Sequence, residues 1–379
     1  MPFILAFGII AIAVVVITYR TYVCYGQYGW VGKLTFLLFL ILSMFAPIVC
    51  YFLQHLYTSL WLAQHTTIFY FMFGFVFILF LVTFTRDIIW TFIDVIRRQP
   101  IDDLKNSGRL KKANIFTFIF ALLISFYGYY EAHKMPNIVS YDIASTKIKQ
   151  QTKLVMLSDL HINIDTQPGQ IKKIIDEVNN LKPDVIVLVG DIIDNSPENL
   201  EKQLAELGKL EAPKGIYFSL GNHEFYNDAL GWGIKFGQMG FNFLNNYGIN
   251  LESSGLFIAG IPDIDSAQAI KMPIKVNNAL HFRNDNSYVI LLSHSPRIAE
   301  NVTKDNVDLQ LSAHTHGGQV FPFHFLVKQA YDGRLAGFYD VNGVKMYISR
   351  GTRYWGVPMR LFAPAEITVF NFKPEATHD

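Results

Sequence analysis

Hydrophobic and polar positions follow two rhythms along this chain. Through the first 130 residues, apolar runs of membrane-spanning length alternate with short polar connections. Four such runs read as helices, about Pro2–Tyr19, Leu34–Leu53, Ile68–Thr85 and Ala113–Tyr130. Each approaches the ~20 residues that carry a helix across a ~30 Å hydrocarbon core. The near absence of charge inside each run argues against buried helices of a soluble domain. The first run lacks the basic start and small-x-small cleavage site of a signal peptide, so it too reads as a helix. From Asn137 the rhythm shortens. "KLVMLSD", "DVIVLVGD", "GIYFSLGN", "GLFIAGI", "YVILLSH", "VDLQLSAH" and "VKMYISRG" read as strands, with "GQIKKIIDEVNNL" and "PENLEKQLAELGKL" as helices. Strands alternating with helices predict an α/β domain. Continuous apolar strands are what a sheet buried on both faces requires. The expected division is a membrane region over residues 1–133, with about four transmembrane helices, and one domain over 137–379.

Composition sharpens this picture in a few places. Hydrophobic residues make up 51% of the chain, and the 32 Phe and 19 Tyr crowd toward its beginning. A net charge of +1 gives no support to nucleic-acid binding. Cys24 and Cys50 both lie in the apolar third, which rules out a cysteine-based zinc site in the second part. The connection between the third and fourth runs carries Arg86, Arg97, Arg98, Lys105, Arg109, Lys111 and Lys112. The one between the second and third, "QHLYTSLWLAQH", carries no Lys or Arg, and Arg20 and Lys33 sit between the first two. The positive-inside tendency therefore places the first and third connections in the cytoplasm and everything after Tyr130 outside it. Arg86 and Asp87 read as a helix end, with "DIIWTFIDVIRR" continuing along the inner interface. With no ionisable side chain in mid-run, the membrane region reads as an anchor rather than a transport path. His55, His65 and His133 fall near run ends and read as interfacial polar residues.

The candidate chemistry lies where the later strands stop. Asp159 and His161 follow one strand, Asp191 and Asp194 the next, Asn222 and His223 a third, His294 a fourth, and His314 and His316 a fifth. In open α/β sheets, ligands bind beyond the carboxyl ends of the strands. The last ending, "LSAHTHGGQV", sets two histidines either side of one threonine, so both can aim at one region. Imidazole, carboxylate and amide oxygen without thiolate suit Mn, Fe or Zn better than the all-oxygen cages of Ca or Mg. These donors are too many for one tetrahedral ion, but two divalent ions about 3.5–4 Å apart would use them all.

D-x-H (Asp159, His161), G-D-x-x-D (Gly190 to Asp194), G-N-H-E (Gly221 to Glu224), the lone His294 and H-T-H-G-G-Q (His314 to Gln319) together resemble the calcineurin-like metallophosphoesterases. Within them, the late "SRG…VPMRLFAPAEI" segment resembles the membrane-anchored bacterial branch. The resemblance spans roughly residues 137–371. It implies a two-sheet sandwich flanked by helices. It also implies that Asp159, His161, Asp191 and His316 hold one metal, and that Asp191 as a bridge, Asn222, His294 and His314 hold the other. A water bridging two cations is deprotonated near neutral pH and becomes the nucleophile on phosphorus. The ions and the Asn222 amide then offset charge on the phosphoryl oxygens. His223 would donate a proton to the leaving oxygen, and Asp194 would accept from its other ring nitrogen. Glu224 reads as a structural hydrogen-bonding residue and His324 as a loop or rim histidine. Two departures stand out. Ala313 replaces a glycine common in relatives, and Asn195–Ser196 replaces the Arg-Gly of protein Ser/Thr phosphatases, which argues against phosphoprotein substrates. Arg350, Arg353 and Arg360 surround a Gly- and Trp-bearing loop, where they serve equally as phosphate forks or as braces.

The expected function is a membrane-anchored, binuclear metal-dependent phosphohydrolase, a phosphodiesterase or phosphatase, acting outside the cytoplasm. Its partners would be membrane lipids and a phosphate ester substrate on a lipid or envelope component. One alternative is a cytoplasm-facing pyrophosphohydrolase of a nucleotide-linked lipid of the UDP-diacylglucosamine type, which needs the reverse topology. Another is a non-catalytic membrane receptor or scaffold, against which the full ligand set weighs.

Overall fold

Apolar helices come first, as the long runs require. The structure is a computed structural model and describes residues 2–24, 29–57, 59–97 and 108–375. Helices form over Pro2–Tyr19 (α1), Trp30–Leu56 (α2), Leu60–Arg97 (α3) and Gly108–His133 (α4). Among the described residues, three stretches are long and apolar enough to cross a membrane: Trp30–Leu53, Leu60–Ile96 and Leu110–His133. That is one fewer than the four expected. Within the first apolar helix the described apolar stretch is Gly8–Val23, shorter than the other three.

A second correction concerns α3. Arg86 and Asp87 do not end a helix; α3 runs through them for 38 residues. Their charges are answered locally. Arg86 donates to Asp87 Oδ1 at 2.8 Å, Asn114 Oδ1 at 2.7 Å and Thr117 Oγ1 at 3.2 Å. Asn114 in turn donates to the Thr21 carbonyl at 3.0 Å, and Tyr22 pairs with Thr117 at 2.7 Å. A charge with partners need not leave the helix to find water. Arg98 and Lys105 of the basic connection lie outside the described residues.

The described chain divides into two compact units, Met1–Tyr130 with Gly356–Met359, and Glu131–Trp355 with Arg360–Asp379. The second is built on two six-stranded mixed sheets. Its strands, in chain order, are β1 (Asn137–Ser145), β2 (Thr152–Leu157), β3 (Val185–Val189), β4 (Ile216–Ser219), β5 (Asn242–Phe243) and β6 (Tyr247–Leu251). Then follow β7 (Leu256–Gly260), β8 (Tyr288–Leu292), β9 (Leu309–Ser312), β10 (Gly337–Val341), β11 (Val344–Ile348) and β12 (Glu366–Pro374). One sheet has the order β1-β12-β2-β3-β4-β5, the other β10-β11-β9-β8-β7-β6.

Alternation along the strands makes the layers. Leu154 and Met156 of β2, and Val185, Val187 and Val189 of β3, share a core with Ile290 and Leu292 of β8 and Leu309 and Leu311 of β9. The opposite neighbours, Val155, Leu157, Ile186 and Leu188, pack against helix α5 (Pro168–Asn180) through Ile171, Ile174, Ile175 and Val178. Each such fully buried side chain is worth about 1.5–3 kcal/mol of transfer free energy. The expected long helix over "PENLEKQLAELGKL" is shorter. A 3₁₀ turn, Pro197–Asn199, precedes helix α6 (Glu201–Leu207). Asn199 side-chain bonds to Asn195 and Ser196, both at 2.8 Å, hold that turn away from α-helical geometry. Strands β2, β3 and β4 run parallel, as do β8 and β9, so within each sheet their carboxyl ends lie side by side.

Candidate metal centre

At those carboxyl ends the backbone is forced into an unusual conformation. Asp159, His161, Asp191, His314 and His316 adopt φ of 50°, 43°, 52°, 72° and 50°, in the left-handed region that non-glycine residues seldom occupy. The surrounding structure over-determines them. Past the end of β2, Asp159 N donates to Gly190 O at 3.1 Å and His161 N to Asp191 O at 3.0 Å, extending the β2–β3 pairing into the loops. Gly190 is required at its place: a Cβ there would stand 2.6 Å from both the Gly221 Cα and His294 Nδ1. Such local strain is a mark of functional sites.

The side chains converge as three groups; His161, Asp194 and His223 come from one sheet, and the other two groups draw on both. Asp159, His161 and His316 present ligand atoms within 4.8 Å of one another, and so do Asp191, His294 and His314. In the first, His161 Nε2 faces His316 Nε2 at 3.1 Å, and His316 Nε2 lies 3.3 Å from Asp159 Oδ1. In the second, His294 Nε2 lies 3.1 Å from His314 Nδ1 and 3.0 Å from Asp191 Oδ2. Asp191 Oδ2 also stands 3.8 Å from His161 Nε2, and thus reaches toward both groups.

Hydrogen bonds at the far side of each ring decide which nitrogen faces inward. His294 Nδ1 lies 2.9 Å from the carbonyl of Val189, an acceptor only, so it donates there and turns Nε2 toward Asp191 and His314. Asp194 Oδ1 accepts from His161 Nδ1 at 2.8 Å and from His223 Nδ1 at 2.7 Å. The expected Asp194–His223 pair is present. The second bond, to His161, was not visible in the sequence.

Electrostatics follow from these contacts. Burial, with His294 beside it, brings His314 down to about 4, and burial with His161 beside it holds His316 well below the usual imidazole range. Both therefore offer lone pairs at neutral pH. Burial disfavours charge on His294 and His223 as well, but Asp191 raises His294 to about 10, and Asp194 with Asp191 raises His223 to about 9. Burial likewise opposes ionisation of Asp194, yet His161 and His223 keep it below the usual carboxylate range. A cation bound beside Asp191 competes with the proton on His294.

The donor set also fits cations by what it leaves over. Asp159 Oδ2 and Asn222 Oδ1 are buried and make no hydrogen bond. A buried carboxylate or amide oxygen without a partner costs roughly 1–3 kcal/mol, a cost that a metal bond removes. Asn222 opens the short helix α7 (Asn222–Tyr226), which brings it and His223 to the site.

The remaining sequence candidates sort clearly. Glu224 is wholly buried, and its two oxygens accept backbone N–H groups from Asp191 (3.0 Å), Ile192 (2.7 Å), Ile193 (3.3 Å) and Gly221 (2.7 Å). Its work is structural. The three arginines act as braces. Arg353 donates to the Leu160 carbonyl at 2.9 Å and Arg350 pairs with buried Glu366 at 2.7 Å. Arg360, fully buried, donates to the carbonyls of Arg350 (2.8 Å), Ala363 (2.7 Å), His316 (3.3 Å) and Arg353. His324 lies on the helix Phe323–Ala330 beside Phe321 and belongs to none of the donor groups. Sequence reasoning missed Trp355, which stands edge-on to His223 with ring centroids 5.6 Å apart. Its signal was the aromatic residue inside the Arg-rich loop.

Comparison with known proteins agrees with this geometry. The profile of the calcineurin-like phosphoesterase family matches residues 152–318. An uncharacterized metallophosphoesterase of Campylobacter jejuni is 37% identical over 251 residues, covering 64% of this chain and 64% of that protein. One of Helicobacter pylori is 32% identical over 281 residues, 73% of this chain and 75% of its own length. A Danio rerio protein named "transmembrane protein with metallophosphoesterase domain" is 30% identical over 287 residues, 72% of this chain and 65% of its own. The chain thus spans just under two thirds of the Campylobacter and Danio proteins.

Proposed function

Because the chain belongs to the calcineurin-like metallophosphoesterases, we propose that it is a membrane-anchored binuclear phosphohydrolase, a phosphodiesterase or phosphatase, acting outside the cytoplasm. One observation carries the reading: donors from four strand ends form two groups, and two buried oxygens, Asp159 Oδ2 and Asn222 Oδ1, lack any hydrogen-bond partner. We assign Asp159, His161, Asp191 and His316 to one ion, and Asp191, Asn222, His294 and His314 to the other. Residues 1–133 are then the membrane region and 137–379 the catalytic domain.

Two divalent ions of the Mn, Fe or Zn type, when bound, supply Lewis acidity and a water activated toward phosphorus. The protein's own residues supply the rest. His223 gives its Nδ1–H to Asp194, which orients the ring and leaves Nε2 to carry a proton to the departing oxygen. The Asn222 amide N–H donates to a phosphoryl oxygen as charge develops there. Asp194 serves as the positioning residue for His161 and His223 together. Because Arg350, Arg353 and Arg360 are committed to Glu366 and to backbone carbonyls, the reading as a nucleotide-lipid pyrophosphohydrolase gains no diphosphate clamp from them.

The extracytoplasmic placement rests on the six Lys and Arg from Arg97 to Lys112, Arg86 lying within α3. It is the same for three crossings as for four, because that basic connection alone fixes the side reached by residues after α4. The test uses the full-length protein in detergent with added Mn²⁺, assayed against 4-nitrophenyl phosphate and bis(4-nitrophenyl) phosphate. Hydrolysis of at least one ester, with about two ions per chain, is expected. Two bound ions with neither ester cleaved would count against the enzyme reading.

A further inference from the structure

Past the donor loop the surface turns apolar. Phe321, Phe325, Leu326 and Phe362 are 45%, 67%, 62% and 84% exposed, and the Phe321 ring lies 5.8 Å from Phe325 and 5.9 Å from Phe362. Phe362 stands out twice. It is the most exposed large hydrophobic side chain among the described residues, and its φ is +61°. A bulky residue in that region is an outlier, and asparagine would suit the backbone better. Folding gains nothing from a phenylalanine held there in water.

The patch is tied to the catalytic groups. Gln319 follows the His316–Gly318 turn. Its side chain clasps Trp355 from both directions, Nε2 to Trp355 O at 2.9 Å and Oε1 from Trp355 N at 3.0 Å. Leu361 N donates to Gln319 O at 2.9 Å, which fastens the chain next to Phe362 to the same residue. These bonds tie the chain beside Phe362 to Trp355, whose ring stands edge-on to His223.

What covers it follows from the rest of the chain. Helix α4 ends at His133, and only Lys134–Pro136 separate it from β1. Three residues reach at most about 11 Å. Tyr354, next to Trp355, lies 3.3 Å from His133 Nε2 through its hydroxyl.

Resting on the phosphohydrolase reading above, we propose that Phe321, Phe325, Leu326 and Phe362 enter the interfacial layer of the bilayer. The site then takes amphiphilic phosphoesters, with the ester at the membrane surface and the lipid's apolar part along the patch. Exposed apolar surface of this kind marks a membrane or partner site, and the bilayer is the apolar phase this chain carries with it.

The test places the full-length protein in phosphatidylcholine nanodiscs with Mn²⁺. It compares hexadecyl 4-nitrophenyl phosphate, which partitions into the bilayer, with methyl 4-nitrophenyl phosphate, which does not. Phe362→Asn combined with Phe325→Ser should lower kcat/KM for the hexadecyl ester about tenfold or more, with the methyl ester changed less than about twofold. Equal effects on the two esters, or none, overturn the proposal. A measurement independent of turnover is quenching by dibrominated phosphatidylcholine. Phe362→Trp should add a strongly quenched component to the tryptophan emission, and an unquenched one overturns insertion. If the wild type binds two ions and cleaves neither ester while the Phe362→Trp variant is quenched, the patch inserts and the phosphohydrolase reading is what fails.

Discussion

Glu224→Gln replaces one of two carboxylate oxygens that between them hold four backbone N–H groups. Oε1 receives Ile192 and Ile193, and Oε2 receives Asp191 and Gly221. A glutamine turned either way keeps one pair and sets an NH₂ against the other, leaving two buried donors facing a donor. Burial and the nearby Asp191 raise Glu224 to about 7, so above that pH, where a hydrogen bond to the charged group is worth about 1.5–3 kcal/mol, the expected loss is roughly 3–6 kcal/mol. The 3.3 Å bond to Ile193 is the weakest, so losing the Oε1 pair defines the lower end. Against a total stability of order 5–15 kcal/mol, that is a large fraction. The damage is also specific, because the bonds pin the loop that carries Asp191 to the turn that carries Asn222. Urea unfolding of the full-length protein in detergent, followed by near-UV circular dichroism, reads the loss, and elemental analysis reads the metal content. A variant within about 1 kcal/mol of wild type that still held two ions would refute the idea that Glu224 joins those loops.

Asp191→Asn should lower occupancy of both metal positions, and normal loading of both would mean that Asp191 is not shared. His223→Ala should cut turnover by ~10²–10⁴-fold with metal content nearly intact, whereas His314→Ala or His316→Ala should strip metal. If His223→Ala also strips it, the assignment of acid and ligands is wrong. Loading the metal-free protein at neutral pH should release protons, since Asp191 holds His294 protonated up to about 10; calorimetry in buffers of different ionisation enthalpy counts them, and no release would contradict that protonation. Alkaline phosphatase fused after Asp379 should be active, and a cytoplasm-only fluorescent reporter that lights up there would reverse the topology.

The donors were legible because a metal site needs particular residue types at the ends of buried strands, and "SDLH", "VGD", "GNHE", "SHS" and "AHTH" each follow an apolar run. Their supports were not. His294 is oriented by the carbonyl of Val189, and backbone acceptors leave no trace in composition. Asp194 serves two rings because loops far apart in the chain meet at one oxygen. Strand β1 pairs in parallel with β12 across more than 200 residues of sequence, as an edge strand with a half-polar pattern that short-range reading cannot place. The continuation of α3 past Arg86 was hidden for a related reason. A charge in an apolar run looks like a boundary until Asn114, from another helix, is seen to answer it.

Two of the three donor groups take members from both sheets: Asp159 and His161 with His316, Asp191 with His294 and His314. The carboxyl-end seam of the sandwich therefore doubles as a ligation surface, and neither of these two groups is complete within one sheet. An ion gripped there acts as a rivet between two half-structures whose cores already meet. By mass action it adds stability that grows with the logarithm of its concentration. Removing metal should then lower the stability of the sandwich along that seam more than elsewhere.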